Sequence, residues 1–220
     1  MKIELRNVWF SYARSSDPVV RGVSLTVESG ELVLVVGPNA AGKTTILKIL
    51  ALLYKPTRGA VLVDGEEFWS MPEDRRYAVR KGVVYVHEKP ILLRRSVLDN
   101  VALGLRIRGV RNAEERALEV LKLLRIEDLA YRPWRELSAG QAQLVSIARA
   151  LAVKPRILVL DEPFAHLDKH NRIILMQVLK RLRDEGMGMV IASHWPPNDF
   201  APLSPERIVE VAKGCVVSTT

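Results

Sequence analysis

The strongest constraint on this chain is the stretch ELVLVVGPNAAGKTTIL at residues 31–47. It places a short apolar strand before a glycine-rich turn, and Lys43 then opens an apolar helix. This is the phosphate-binding pattern G-x-x-x-x-G-K-[ST] in a strand–loop–helix context. Gly37 and Gly42 suit the pattern because a backbone that wraps phosphate oxygens must turn tightly and approach closely, without a Cβ in the way.

The loop also predicts how a nucleotide is held. Successive backbone N–H groups form an anion nest, and the N-terminus of the helix adds partial positive charge. Lys43 is expected to reach the β- and γ-phosphates, and the Thr44 hydroxyl to take one Mg²⁺ position. A plain glycine turn between a strand and a helix is the competing interpretation, and it leaves most of the pattern unexplained. The sequence therefore predicts a nucleoside triphosphate site.

Two carboxylates, Asp161 and Glu162, directly follow a second apolar stretch, ILVL, at residues 157–160. In open α/β sheets, ligands bind at the carboxyl ends of the parallel strands. Asp161 is expected to hold Mg²⁺, directly or through water, and Glu162 to orient or deprotonate the attacking water. The competing interpretation is a strand end that carries two solvated acids.

Two segments match the capping box that begins many helices. In LSAGQ, at residues 137–141, Ser138 and Gln141 have the required spacing ahead of an apolar helical pattern. In NAEE, at residues 112–115, Asn112 precedes a second helical pattern. Taken alone, LSAGQ therefore has a purely structural explanation.

Hydrophobic periodicity outlines the order of the elements. Strands are expected at residues 2–10, 23–27, 32–36, 60–63, 82–86, 156–160, 189–192, 207–211 and 215–218. Helices are expected at residues 45–53, 70–80 and 169–184, and a turn at residues 15–18. From about residue 88 to residue 151 the pattern becomes helical, which predicts a helical subdomain inserted between strands of a parallel α/β core.

Composition narrows the class of protein. A formal net charge of +8 suits a polyanionic ligand or an anionic surface, although the basic residues are scattered as on solvated helix faces. The single cysteine, Cys215, excludes an internal disulfide and argues against structural zinc. The N-terminus has no apolar signal-peptide core, and no run approaches roughly eighteen consecutive apolar residues, so we expect no membrane span.

The motifs GPNAAGKTT, LSAGQ, LVLDEP and Ser193-His194 occur in this order along the chain. Together they resemble the ATP-binding-cassette (ABC) ATPases, and the resemblance covers essentially the whole chain. It implies a single ABC ATPase domain over residues 1–220, in which the helical subdomain, about residues 88–151, carries the signature motif. The implied fold class is α/β, a P-loop NTPase core with a mainly parallel sheet, an N-terminal antiparallel β subdomain and the inserted helical subdomain.

The resemblance also implies residue roles. Asp161 resembles the Walker B magnesium aspartate, Glu162 the catalytic glutamate, and His194 the switch histidine that contacts the γ-phosphate. Tyr12 is similar to the aromatic residue that stacks on adenine; a strand-end core aromatic is the competing interpretation, and Phe10 could take its place. The implied catalytic set is Glu162, His194 and Lys43. The implied ATP-binding set is Tyr12, Gly37, Pro38, Asn39, Ala40, Ala41, Gly42, Lys43, Thr44, Thr45 and His87, with Thr44 and Asp161 as metal ligands. The implied signature, acting in trans, is Ser138, Ala139, Gly140 and Gln141, and Asp168 is the D-loop acid.

Three positions depart from the family pattern. His87 stands where a Q-loop glutamine is usual; a neutral imidazole can still touch magnesium-bound water, but it titrates near neutral pH, so coupling is expected to be pH-sensitive. Ala139 replaces the usual signature glycine and adds a methyl group near the partner's phosphates. Ala40 stands where the family prefers glycine, which the generic loop motif does not require.

In this family, Ser138 of one chain would close over ATP bound by a facing chain. The resemblance therefore implies a head-to-tail dimer, a homodimer or a heterodimer with a related ATPase, that sandwiches two ATP molecules and opens after hydrolysis. Residues 92–109 resemble the part of small-solute importers that receives a coupling helix from separate integral membrane subunits. We expect a peripheral ATPase subunit of a transporter at the cytoplasmic face of the cell membrane, with no nucleic-acid partner.

Other classes of ABC ATPase fit the chain less well. DNA-repair members insert a long coiled coil, whose heptads are missing here, and ribosome-acting members carry two cassettes in one chain. A soluble ATPase of an iron–sulfur assembly complex stays open as the alternative, because its chain is similarly compact. A non-hydrolysing regulator is disfavoured because Lys43, Asp161, Glu162 and His194 are all present.

Overall fold

The computed structural model describes residues 1–13 and 17–220. Its strands are β1 (Lys2–Phe10), β2 (Val20–Glu28), β3 (Leu32–Val36), β4 (Arg58–Val63), β5 (Glu66–Glu67), β6 (Val83–Val86), β7 (Ile157–Asp161), β8 (Gly188–Ser193), β9 (Arg207–Ala212) and β10 (Cys215–Thr219). Its α-helices are α1 (Lys43–Leu50), α2 (Glu73–Arg80), α3 (Val97–Ile107), α4 (Ala113–Leu123), α5 (Ala139–Ala152) and α6 (Lys169–Asp184). The turn predicted at residues 15–18 lies partly outside the described residues.

A small antiparallel sheet forms the N-terminal part of the molecule, in the order β2-β1-β4-β5. Ile3 pairs with Val27 on one side and with Val63 on the other, and all three side chains are buried. Alternation of apolar and polar residues along β1 lets one face of this sheet pack into the core. The predicted N-terminal antiparallel β subdomain is confirmed.

The second sheet has six strands in the order β10-β9-β3-β8-β7-β6. Its pairs from β9 to β6 are parallel, and β10 closes the edge as an antiparallel partner of β9. All five residues of β3 are buried, as expected for a strand covered on both faces. Because β3, β8 and β7 are neighbours, their carboxyl ends meet at one edge, and this edge carries the site described below.

The core lies on both faces of the six-stranded sheet. Val33 and Val35 of β3 face α1 and the antiparallel sheet, whereas Leu34 belongs to the cluster formed with α3, α4, α5 and α6. Removing a fully buried leucine such as Leu34 by substitution with alanine is expected to cost about 2–5 kcal/mol. No α-helix among the described residues is both long and apolar enough to cross a bilayer.

Local capping explains where two of the helices begin. Ser138 accepts a hydrogen bond from the Gln141 backbone N–H at 3.2 Å, and the Gln141 side chain accepts one from the Ser138 N–H at 3.0 Å, so this predicted capping box is confirmed. Asp168 caps α6 by accepting from the Asn171 N–H at 2.8 Å. These two caps fix where α5 and α6 begin.

The capping box predicted at residues 112–115 is wrong. Asn112 precedes α4 without a side-chain capping bond, and its ψ of 45° lies outside the extended region that an N-cap residue normally adopts. The neighbouring Glu114 instead accepts a hydrogen bond from Arg106 Nε of α3 at 2.8 Å. Glu114 thus pairs with the neighbouring helix, while the Asn112 side chain makes no capping bond.

Candidate active site

The turn between β3 and α1 is shaped by packing as well as by its ligand chemistry. Gly37 has a φ of 152°, and a Cβ added there would lie 2.1 Å from the carbonyl oxygen of Val211 in β9. No side chain fits at that distance, so a glycine is required even without a phosphate. The close passage of β9 is a reason for Gly37 that the sequence did not supply.

Lys43, the first residue of α1, is 7% exposed and points back into the turn. Its Nζ donates hydrogen bonds to the carbonyl oxygens of Gly37 at 2.7 Å and Pro38 at 3.0 Å. The same Nζ lies 3.9 Å from Oε1 of Glu162. The lysine therefore links the loop to the end of β7 and places a cation where phosphate oxygens would bind.

Asp161 and Glu162 lie at the carboxyl end of β7 and are only 2% and 8% exposed. Adjacent residues of a strand normally point to opposite faces. Here Glu162 adopts a φ of 47°, a left-handed conformation that costs a non-glycine residue about 1–3 kcal/mol. This turn brings both acids to the same cleft.

Glu162 is held by residues from the end of β8, the next strand. Nδ1 of His194 lies 3.0 Å from Oε1 of Glu162, and the Ser193 hydroxyl donates to Oε2 at 3.2 Å. The Ser193 hydroxyl in turn accepts from the Trp195 N–H at 3.1 Å. His194 is therefore part of a buried carboxylate network, which a lone surface histidine would not be. The arrangement can orient a water molecule beside Glu162 and transfer its proton.

Asp161 has a different partner. The Tyr85 hydroxyl of β6 donates to Oδ2 of Asp161 at 2.7 Å. Burial, and then the neighbouring Asp161 charge, raise the pKa of Tyr85 well above its ordinary value, so the hydroxyl keeps its proton.

The residues around Asp161 fit a magnesium ion. The Thr44 hydroxyl and the Asp161 carboxylate line the same cleft and supply the hard oxygen ligands that Mg²⁺ prefers. Across residues 1–13 and 17–220 there is no group of three or more His, Cys, Asp or Glu side chains that could hold a metal. One carboxylate and one hydroxyl suit Mg²⁺ bound together with nucleotide phosphates and water, rather than an all-protein cage.

An open cleft of about 540 Å³ joins these parts. It is lined by Val19, Asn39, Ala40, Ala41, Gly42, Lys43, Thr44, Thr45, Glu88, Asp161, Glu162 and His194. Most of the predicted ATP-binding and metal residues thus come together at one site.

The aromatic residue expected to contact adenine stands at the edge of this site. The Tyr12 hydroxyl is 3.0 Å from Oγ1 of Thr45, and its ring meets Phe10 and Tyr54 edge-on. Tyr12 is 41% exposed, which is too open for a core aromatic. Phe10 instead stacks on Tyr54 with ring centroids 5.2 Å apart. Tyr12 is therefore the better placed of the two to meet a base.

His87 lies apart from the cleft lining. It borders a smaller cavity of about 230 Å³ between β6, α3 and α5, together with Tyr85, Ile91, Ile107 and Arg149 among others. Partial desolvation, and next the positive charge of Lys48, lower the pKa of the largely exposed His87 below its ordinary value. The imidazole is therefore neutral around pH 7, and the pH range in which it changes charge is more acidic than the sequence suggested.

The signature segment also lies outside the cleft of its own chain. Ser138 and Ala139 are exposed at the start of α5, and Asp168 is exposed at the start of α6. A Cβ added to Gly140 would lie 2.7 Å from the carbonyl oxygen of His166, in the connection from β7 to α6. The backbone of the β7–α6 connection therefore occupies the space that a side chain at position 140 would need, and a residue larger than glycine does not fit there.

Sequence reasoning missed Tyr85 and Glu88, and it named Ser193 beside His194 without giving it a role. Tyr85 sits in a short β-branched strand and signals nothing by itself, because its partner is 76 positions away along the chain. Glu88 follows the recognised position His87, and Ser193 precedes His194, so attention to the neighbours of motif residues would have found Glu88 and the role of Ser193.

The proteins that this chain resembles in sequence bind ATP, in agreement with the phosphate-binding geometry of the site. A family model described as "ABC transporter" matches residues 20–165. The chain is 39% identical over 224 residues to the sulfate/thiosulfate import ATP-binding protein CysA of Methylococcus capsulatus, covering 99% of this chain and 60% of that protein. It is 35% identical over 218 residues to the phosphate import ATP-binding protein PstB 2 of Natronomonas pharaonis, covering 94% and 76%.

Solved structures match over nearly the full length of both chains. The dimeric structure of MJ0796, a bacterial ABC transporter cassette, superposes with a TM-score of 0.89 at 33% identity and covers 99% of this chain and 97% of that one. A dimeric post-hydrolysis state of MJ0796 bound to ADP and Pi superposes with a TM-score of 0.88 at 32% identity, over the same shares of the two chains.

The chain spans less of its curated relatives. It covers between 50% and 76% of the length of those at the top of the comparison. The relatives described above are import proteins, and they lend no support to the iron–sulfur assembly alternative.

Proposed function

Because the chain belongs to the ABC transporter family, we propose that it is the ATP-binding and ATP-hydrolysing subunit of an importer. The observation that carries this proposal is the convergence of Lys43, Glu162 and His194 at the carboxyl ends of neighbouring parallel strands. A cation for phosphates, a buried carboxylate and an imidazole in contact with it are the parts that phosphoryl transfer to water requires.

Each group has a task that its geometry supports. Lys43 and the N–H groups of the turn hold the triphosphate, because Lys43 lies at the start of α1, where the helix N-terminus favours an anion. Glu162 orients the attacking water and accepts its proton, while His194 and Ser193 fix the carboxylate from the side of β8. Thr44 and Asp161 would hold Mg²⁺, which supplies charge neutralisation at the phosphate oxygens when bound.

The active unit is a head-to-tail dimer. Ser138 lies outside the cleft of its own chain, at the exposed N-terminus of α5, where free N–H groups and the helix dipole favour an anion. A facing chain would place that terminus over the phosphates held by Lys43. Both MJ0796 structures named above are dimeric, which supports this assembly. A homodimer and a heterodimer with a related ATPase are both compatible with the proposal.

Separate membrane subunits complete the transporter. The import names of the curated relatives support this partner and a peripheral position at the cytoplasmic face of the cell membrane. Ile91 and Ile107, which border the cavity between β6, α3 and α5, are 64% and 70% exposed. Exposed apolar side chains at a concave surface suit contact with another protein. Since relatives of similar identity carry names for inorganic anions and for polyamines, the solute is chosen by the other subunits.

The proposal is tested with the purified chain and with its membrane partners. We expect Mg²⁺-dependent release of phosphate from ATP, and we expect hydrophobic membrane proteins to co-purify with a tagged chain expressed in its native host. Absence of ATP binding in the purified chain would contradict the enzymatic part. Co-purification with soluble scaffold proteins alone would contradict the transport part.

A further inference from the structure

Tyr85 connects two parts of the molecule that carry separate motifs. Its hydroxyl donates to Oδ2 of Asp161 at 2.7 Å, and its ring meets the ring of His87 edge-on with centroids 4.6 Å apart. Through these contacts a single side chain touches both the metal aspartate and the loop that leaves β6 towards α3. No motif used above includes it.

The register of the parallel strands explains this contact. Tyr85 of β6 pairs with Val159 of β7, so its side chain points to the same face as Val159 and as Asp161, two residues further along. A tyrosine is long enough to reach forward by those two residues, whereas the valines at the other positions of β6 are not. The hydroxyl therefore meets the carboxylate at the end of the neighbouring strand.

The hydrogen bond restricts how Asp161 can present itself. The terminal torsion of an aspartate side chain is soft, so a carboxylate without a fixed partner samples a broad range of orientations. Here Oδ2 is held by Tyr85, and Oδ1 has no hydrogen bond from the residues the structure describes. In a side chain that is 2% exposed, one oxygen is thus committed and the other stays available to a cation.

We propose that Tyr85 is the positioning residue for the magnesium aspartate, because it fixes Asp161 with Oδ1 as the metal-facing oxygen. The proposal rests on the proposed function, since it requires a magnesium nucleotide in the same cleft. Hydrogen-bonding partners of metal ligands typically change metal affinity or activity about 10–100-fold when removed. Tyr85 does not touch the reacting atoms and acts only through Asp161.

The decisive variant is Tyr85→Phe, which keeps the ring and removes the hydroxyl. The dissociation constant for fluorescent mant-ATP is measured on the full chain in excess Mg²⁺ and again in EDTA. The constant in EDTA divided by the constant in Mg²⁺ reports how much the metal contributes to affinity. We expect Tyr85→Phe to reduce this ratio about tenfold. Its dissociation constant in EDTA should stay within about twofold of the parent value, because Lys43 and the loop are untouched. The matched control is Tyr77→Phe, which removes a hydroxyl from an exposed tyrosine of α2 and should leave both constants unchanged.

A double-mutant cycle separates positioning from a general structural role. In an Asp161→Asn background, Tyr85→Phe should cause no further loss of the metal contribution, because the group it positions is already absent. Thermal unfolding of the nucleotide-free variants shows the stability effect separately. A hydroxyl that only stabilises the fold would change the unfolding temperature and leave the Mg²⁺-to-EDTA ratio as in the parent.

The outcomes distinguish this inference from the proposed function. If the parent chain fails to bind mant-ATP in Mg²⁺, the proposed function itself is wrong. If the parent binds more tightly in Mg²⁺ than in EDTA and Tyr85→Phe keeps the parental ratio, the positioning role of Tyr85 is wrong and the ATPase assignment is unaffected. An additive loss in the Asp161→Asn background would also overturn it.

Discussion

The contact between Gly140 and the β7–α6 connection leads to a prediction with a magnitude. In Gly140→Ala the new Cβ would lie 2.7 Å from the His166 carbonyl oxygen, which is about 0.7 Å short of ordinary contact. The obstacle is backbone rather than the end of a flexible side chain, so either the start of α5 or the connection must move. Overpacking of this kind typically costs about 1–3 kcal/mol.

That cost should be visible both in stability and in activity. For a domain of this size, 1 kcal/mol corresponds to about 2–4 °C in the unfolding temperature, so a cost of about 1–3 kcal/mol should make Gly140→Ala unfold about 2–12 °C below the parent. The displaced signature should also lower ATP turnover by about tenfold at a temperature where the variant is folded, since small misplacements of positioning groups are costly. The assays are calorimetric unfolding and phosphate release.

A neighbouring residue provides the control. Ala139 is exposed at the first position of α5, and Ala139→Gly removes a methyl group without creating a contact. It should change stability by no more than about 1 kcal/mol, the helix-propensity difference between the two residues. If Gly140→Ala unfolds and turns over ATP as the parent does, the inferred steric constraint between the signature and the β7–α6 connection is refuted.

Three further predictions follow from the site and the core. Glu162→Gln keeps the shape of a side chain that Ser193 holds, but it removes the base, so ATP turnover should fall by about 10²–10⁴-fold. ATP-dependent dimers of this variant should appear on gel filtration. Undiminished hydrolysis would contradict the role of Glu162. Partial desolvation and the charge of Lys48 lower the pKa of His87, so the imidazole gains a proton only below its ordinary pKa of 6.5. Activity of the parent should therefore decline relative to His87→Gln only below pH 6.5, and superimposable pH profiles would refute this. The amide atoms of the buried Gln143 side chain have no hydrogen-bond partner among the described residues. Gln143→Met should therefore raise the free energy of unfolding, measured by denaturant titration, by about 1 kcal/mol. A loss of stability would show that the amide is hydrogen-bonded in solution.

The sequence was most informative where a local pattern decides the structure. Residues 32–36 and 169–184 were predicted with the bounds that β3 and α6 have, because a fully buried strand and an amphipathic helix each show a strong period. The Asn112 cap failed because the turn before α4 leaves that residue outside the extended conformation that an N-cap normally adopts. A four-residue pattern does not determine the backbone conformation of its first residue.

The candidate site shows the same division. Its loop, its two acids and its histidine were predicted from contiguous motifs, and the structure brings Lys43, Glu162 and His194 together. The Tyr85 contact depends on the register between β6 and β7, and the requirement for Gly37 depends on the passage of β9. Both are long-range features of the sheet, so they became visible only once the strand order was known.

The hydrogen bonds of Lys43 to the Gly37 and Pro38 carbonyls have a kinetic consequence. The ammonium group has already exchanged much of its hydration shell for protein dipoles, so its charge is oriented before any anion arrives. An incoming phosphate therefore meets a preset electrostatic environment and replaces partners one for one, with little reorganisation of the loop. We therefore expect electrostatic attraction to the fixed charge of Lys43 to speed the capture of nucleotide by this loop.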